Sequence, residues 1–329
     1  MSIDLSTLAE APRVLIEVPL KPVQGTRFQP TGFPDLGAAT FKSVQTNGEN
    51  QAIEVDSLIV ESAQSMANRL ENVCWNEGAE DLEEPLQGLP YVRSTLPDGT
   101  ITNSILESHR LNSPYIANSK EFEKIKEEIG FVKDQPFNRR KLAAALLKYD
   151  PSSLVHGVFL EKVGGVVRLP RMLSSFIEAH DIKVATSGGV KFDRVQPVST
   201  EKGEEEKVKY GKAKEGFGNV PFHRDEYTGQ ITAYFNLDLT LLRGYGFNEA
   251  ANRLLILYSL YKIQKFLQEG LRLRTACDLT TVGDVQVTQP EAFELPSLEK
   301  LKEALPESIA AVADQFVTPA VTDLQYQKK

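Results

Sequence analysis

Residues 248–268 are apolar around much of a helix's circumference, and Gly270 stands where such a helix should end. A helix of that kind must be covered on several sides, so it belongs inside a core. Strand signals supply the cover. Residues 14–20 read as an opening strand ended by Pro19, and 53–60, 155–163 and 191–198 have strand character. Residues 230–238 alternate cleanly as Gln-Ile-Thr-Ala-Tyr-Phe-Asn-Leu-Asp, and strand signals recur over 278–287. Helices are expected at 121–129, at 138–149 with Pro151 beyond it, and from Arg168 through Ala179 with Pro170 in its first turn. No internal repeat is visible. The mixture predicts an α+β fold around an antiparallel sheet.

At 329 residues, 41% hydrophobic and 25% charged, the composition is that of a soluble globular protein able to bury a substantial core. The most apolar stretch, 254–261, is too short to cross a bilayer and is followed by Lys262. The opening Met-Ser-Ile-Asp-Leu has no signal character, so a cytoplasmic protein is expected, with no membrane partner. Cys74 and Cys277 form no metal-type pair and read as buried thiols. A net charge of -8 weighs mildly against nucleic-acid binding. The acids are concentrated at 81–84, 121–128 and 204–206, however, which leaves other surfaces free to be basic.

Two segments cannot belong to the core. Residues 200–215 are nearly all Lys, Glu and Gly and should project into solvent. Residues 25–37 form a long loop rich in glycine and proline, of a length that is usually functional inside a domain.

The helix over 61–71 has an unusual polar face. Ala63, Met66, Ala67 and Leu70 form its apolar stripe, while Ser62, Gln64, Ser65, Asn68 and Arg69 offer hydroxyls, amides and a guanidinium instead of the usual Glu/Lys pairs. Such donors suit a phosphate–sugar backbone; a plain polar surface helix is the competing reading. Arg168 and Arg171 bracket Pro170 at an expected helix N-terminus, where backbone N–H groups favour phosphate. Arg272 and Arg274 alternate, so both should point the same way if extended. Arg27, Phe28 and Gln29 place a cation beside an aromatic that could stack on a base. Each of these arginines has an ordinary alternative as a surface ion pair.

Signs of catalysis are sparse. The chain has no phosphate-binding glycine loop, His-Glu-x-x-His or Cys-x-x-Cys, and no carboxylate cluster suggests a metal or other cofactor. His109-Arg110 and His223-Arg224 could serve a metal-independent ribonuclease, with imidazole as acid or base beside a phosphate-binding arginine. His180 beside Asp181 is expected to follow a helix and cap its C-terminal end.

Four segments together resemble one family. They are Pro-Val-Gln-Gly-Thr-Arg-Phe-Gln-Pro-Thr-Gly-Phe at 22–33, Glu-Ser-Ala-Gln-Ser-Met-Ala-Asn-Arg-Leu-Glu at 61–71, Arg-Leu-Pro-Arg at 168–171 and Leu-Arg-Leu-Arg-Thr-Ala-Cys-Asp-Leu at 271–279. The combination is similar to the backbone subunit of a type I CRISPR Cascade, more narrowly of type I-U (also called I-G), within the RAMP superfamily. The similarity runs from about Ala11 to Val287. It implies a single RAMP-type domain over 1–329, with a modified ferredoxin-like, RRM-type palm, helical insertions and a projecting β-hairpin thumb at 191–228.

The resemblance also implies that Ser62, Gln64, Ser65, Asn68 and Arg69 grip guide phosphates, Asn68 standing where relatives more usually carry a basic side chain. In the thumb, Lys207, Lys209, Lys212 and Lys214 would lie near phosphate, with His223 and Arg224 close by. Phe217 and Phe222 would wedge against displaced bases. The implied partners are crRNA, target DNA through the guide, further copies of the chain in a helical filament, and other Cascade subunits. Those include a RAMP subunit that caps or processes the crRNA, and the effector helicase-nuclease. A subunit that accepts any spacer should hold backbone and leave pairing edges free, which implies a non-catalytic role in antiviral defence. A RAMP-type endoribonuclease using His109 or His223 is the alternative, and a protein-assembly scaffold that never touches RNA is a third.

Overall fold

The computed structural model describes residues 3–326 apart from 34, 47, 49, 133, 134, 136, 166 and 191–220; at 221–223 it describes backbone only. Strand β1 (Arg13–Pro22) buries every second side chain, Val14, Ile16, Val18 and Leu20, as its sequence requires. It does not stop at Pro19. The Pro19 carbonyl accepts from Val282 N where one partner strand along this edge gives way to the next, so the missing N–H falls between partners. A hairpin of β2 (Thr40–Thr46) and β3 (Ala52–Glu61) leads into α1 (Ala63–Asn72), with Ser62 as N-cap accepting from Ser65 N.

An insertion follows. It contains β4 (Tyr91–Thr95), β5 (Ile101–Asn103), α2 (Phe122–Ile129), α3 (Arg139–Tyr149), α4 (Pro151–His156) and the short hairpin of β6 (Val158–Leu160) and β7 (Val167–Leu169). The chain then runs out along β8 (Leu173–Val190) and back along β9 (Pro221–Asp238), through α5 (Glu249–Glu269) to β10 (Arg272–Arg274), β11 (Cys277–Thr281) and β12 (Gln286–Gln289).

The main sheet has eight strands, in the order β10-β11-β1-β9-β8-β3-β2, with β12 also on β1. Its centre is β11-β1-β9-β8, connected as β1-α1-β8-β9-α5-β11 with antiparallel neighbours. That is the β-α-β-β-α-β ferredoxin-like arrangement. Helix α5 is buried around most of its surface, and its Phe266 meets Phe235 of β9 edge-on at 6.4 Å. The α+β expectation and the antiparallel sheet hold.

The helix expected from Arg168 through Ala179 is a strand. Leu173, Phe176 and Ile177 fit a helical stripe, yet the buried set in β8 is Leu173, Ser175, Ile177 and Ala179, and Phe176 faces outward. The small Ser175 and Ala179 hide the period of two, and residue-by-residue pairing with β9 decides the outcome. Arg168 and Arg171 therefore flank a turn and not a helix N-terminus. His180 caps no helix; its Nδ1 lies 3.0 Å from Ser57 Oγ across the β3–β8 pair. The strand expected at 155–163 begins only at Val158, after α4.

Beyond a bulge at Asp181 (φ 48°), residues 183–190 pair with 221–228 and have no other strand partner among the described residues, apart from the Phe28–Tyr227 bridge. This two-stranded ribbon is roughly 25 Å long. It starts at about Lys183, eight residues before the expected thumb boundary. The expected strand at 191–198, together with Lys207, Lys209, Lys212, Lys214 and Phe217, lies outside the described residues.

The C-terminal residues are structural. Helix α6 (Leu298–Ala310) packs on α5, and β13 (Val321–Gln325) pairs in parallel with β4.

Candidate nucleic-acid interface

Helix α1 has two working faces. Gln64 and Asn68, one turn apart, line a cleft of about 680 Å³ together with the loop Ser108–Arg110, Asn112, Arg139, His156, Gly157 and the β6–β7 hairpin. Four arginines line it, Arg110, Arg139, Arg168 and Arg171, and no acidic residue among the described ones does. The hairpin supplies Phe159 and Arg168 as a directly opposed cross-strand pair, with the guanidinium carbon 4.7 Å from the ring centre. Gly157 has φ 75°, and an added Cβ would lie 2.7 Å from Leu169 O, so the backbone of this wall is tightly drawn together.

The cleft floor rests on a buried polar network. Arg110 Nε and Nη2 donate to the two oxygens of Glu71 at 2.6 and 2.8 Å. Ser152 Oγ donates to Glu71 at 3.1 Å, and Lys262 Nζ donates to Ser152 Oγ at 3.1 Å. Burial pushes the Glu71 carboxyl up against the opposing pull of Arg110 and Lys262, and burial pushes the Lys262 ammonium down. Burial also raises Asp150 to about 6 and drives His156 well below its ordinary value, with Lys262, Arg110 and Arg171 adding to the latter. Both ring nitrogens of His156, Nε of Arg171 and Oδ1 of Asp150 have no hydrogen-bond partner. Burial, then Arg110, lowers Arg171.

The adjacent face of α1 begins a ladder of arginines and carboxylates. Arg69 Nε lies 3.4 Å from Glu61 Oε1, and its Nη2 donates to Leu273 O at 2.8 Å. Arg274 pairs with the same Glu61 and donates to Gln29 O at 2.8 Å and Val60 O at 3.2 Å. Gln29 Oε1 accepts from Arg224 at 3.3 Å, and Arg224 and Arg27 share Glu226 at 2.9 and 3.4 Å. Two Arg–Glu–Arg triplets, joined through Gln29, thus run from α1 to the root of the ribbon.

The sequence-selected residues divide accordingly. Gln64, Asn68, Arg168 and Arg171 meet in the cleft, with His109 at its rim; Arg69, Arg274, Gln29, Arg224 and Arg27 form the ladder. Ser62 is committed to capping α1. Phe28 is not available to stack on a base: it is 1% exposed, and its backbone pairs with Tyr227 in both directions at 2.9 Å. Arg272 and Arg274 share an extended segment, but a register shift between them leaves Arg272 exposed while Arg274 is drawn into the ladder. The backbone at Phe222 and His223 pairs with Gly189 and Gly188; their side chains lie outside the described residues.

Arg139, Phe159, His156 and the bracing Glu61 and Glu226 were not singled out from the sequence. For Arg139 a signal exists. Asn138 caps α3 and the first turn reads Arg-Arg-Lys, cations placed against the helix dipole, as an external anion would favour. No group of three or more His, Cys, Asp or Glu among the described residues could hold a metal, and no described helix is long and apolar enough to cross a membrane.

No curated protein matches this chain. A solved structure described as "CRISPR RNA-guided surveillance complex, pre-nicking" is similar over 96% of this chain and 96% of its own, at 13% identity and a TM-score of 0.37, a likeness too slight to argue from. The family model described as "CRISPR-associated protein GSU0053" matches residues 14–184, over half of the chain and including all of α1 and the cleft. The chain belongs to this CRISPR-associated family.

Proposed function

We propose that this chain is a guide-RNA-binding backbone subunit of a CRISPR surveillance complex, holding the phosphates of the crRNA while its bases pair with target DNA. One observation carries the reading. A protein of net charge -8 gathers four arginines into a cleft without a single acidic lining residue among those described; Arg110 is tied to the buried Glu71, and Arg139, Arg168 and Arg171 supply the charge. The Gln64 amide of α1 adds a donor suited to phosphate and sugar and carrying no sequence information, while Asn68 Nδ2 is given to Glu71 and to Ser108 O. The ladder holds a second row of guanidiniums in fixed positions beside it. Several copies would follow one RNA through a non-closing, head-to-tail contact, alongside the other subunits of the complex. Such a subunit needs no nuclease centre of its own.

The test is RNA affinity against salt for Arg139→Gln combined with Arg171→Gln. Affinity should fall at least tenfold, and the log–log salt slope should shrink by about 1.4 for two lost single-strand phosphate contacts. An unchanged affinity and slope would sink the reading. A metal-independent endoribonuclease is favoured by one observation, His109 at the rim of the same cleft. Cleavage of repeat RNA by the purified chain, lost in His109→Ala, would establish that activity instead.

A further inference from the structure

We propose that the cleft takes one unpaired nucleotide of the RNA, its base stacked on the Arg168–Phe159 pair. This rests on the RNA-binding reading and adds a base contact to one that otherwise involves only phosphate and sugar. The platform is built into the backbone. Phe159 and Arg168 are directly opposed in the β6–β7 hairpin, while Val158, Leu160, Val167 and Leu169 on either side of them are buried. The register therefore turns both side chains outward together. Phe159 is 40% exposed at the cleft wall, and the guanidinium lies 4.7 Å from its ring centre. A guanidinium 4.7 Å from the centre of a partly exposed ring makes one broad, preformed surface, and a base can lie against the ring and the guanidinium together.

The floor carries the second observation. His156 is 1% exposed, lines the cleft, and has a partner on neither ring nitrogen. Buried polar groups are almost always satisfied. Burial and the three nearby cations keep this imidazole uncharged, so it presents one donor and one acceptor. A phosphodiester can take only the donor, whereas a ribose hydroxyl or a base edge can also donate to the acceptor, directly or through a water. Arg139 and Arg171 then face the flanking phosphates, and a cleft of about 680 Å³ lies in the range of small-molecule sites.

The experiment uses the full chain bound to single-stranded RNAs carrying one 5-iodouridine at successive positions, irradiated and mapped by mass spectrometry. The expected result is a crosslink to Phe159 from one position in each bound footprint. Phe159→Leu should abolish that crosslink and weaken binding about tenfold, the scale of one lost base–aromatic stack, with an unchanged salt slope and melting temperature. Arg168→Lys keeps the charge and the fold but removes the planar platform, and should lower affinity with the salt slope retained. Binding with a full salt slope but with no crosslink at Phe159, or with crosslinks indifferent to both variants, overturns the proposal and leaves the phosphate reading standing. Crosslinks of a captured protein at this hairpin in place of RNA also overturn it. A wild-type chain that binds no RNA overturns both.

Discussion

Arg69 and Arg274 grip a single carboxylate, that of Glu61, one from helix α1 and the other from strand β10. Glu61 is 3% exposed and lies at the end of β3, directly before the N-cap of α1. Two cations on one buried acid leave a net positive charge fixed in place, with the outer edges of both guanidiniums partly open to solvent. The arrangement both joins the sheet to α1 and keeps charge aimed outward.

Glu61→Gln is therefore expected to cost stability, on the order of 3–5 kcal/mol, because it leaves two half-buried guanidiniums without their acid. Urea denaturation measures it. Arg69→Glu sets two carboxylates against each other and should lower the melting temperature as well as RNA affinity, which a cation on a plain polar surface helix would not do.

The Glu71–Arg110 pair is expected to behave as a unit. Arg110→Leu strands a buried carboxylate and should destabilise the fold by roughly 3–5 kcal/mol, whereas Arg110→Leu with Glu71→Leu should recover at least half of that loss. A double variant no more stable than the single one would show that the pair does not act as the cycle requires.

His156 sets a pH dependence. Its folded-state value lies well below that of the unfolded chain, so the stability it permits is fully present above about pH 6.5 and is lost as pH falls below that, where the unfolded chain takes up the proton first. The stability difference between the wild type and His156→Gln, followed from pH 7.5 to 5, should move steadily against the wild type. A flat difference would mean that the imidazole is solvated or paired in solution.

Asp150 acts with the opposite sign. Its folded value is raised to about 6 from an ordinary 3.8, so its contribution is present below about pH 4 and is lost as pH rises toward 6. Asp150→Asn, which can still accept from Ser153, should gain about 2–3 kcal/mol on the wild type across that window, relative to its standing below pH 4, and then level off. Calorimetry at several pH values reads the gap directly.

Much of this site could be read from residue types. Gln64 and Asn68 were legible because an acid-poor helix face is unusual, and Arg168 and Arg171 because they cluster around Pro170. What sequence could not supply was their geometry. Small residues at 175 and 179 disguised a strand as a helix, so the two arginines were placed at the wrong kind of terminus. Arg69 and Arg274 looked free because Glu61, the acid that holds both, reads locally as part of a helix start. Phe28 looked like a stacking residue because its neighbours are polar, while its own burial depends on Tyr227, far away in sequence. Phe159 gave no signal of its own: it lay within the strand expected at 155–163, and only the hairpin register turns it outward. Helix α6 was missed although Leu298, Leu301, Leu305 and Ile309 keep helical spacing behind Ser297, which caps it; Pro306 within it obscured the signal.

The bridge between Phe28 and Tyr227 has a mechanical meaning. The ribbon of β8 and β9 is a cantilever, and this bridge, with the Arg27–Glu226 contact beside it, clamps its fixed end to the N-terminal loop. A load applied at residues 190 and 221 is borne first by residues 27–29. From Gln29 it passes through Arg274 to Glu61 and so to the foot of α1. Whatever bends the far end of the described ribbon therefore pulls on the rod that carries Gln64 and Asn68.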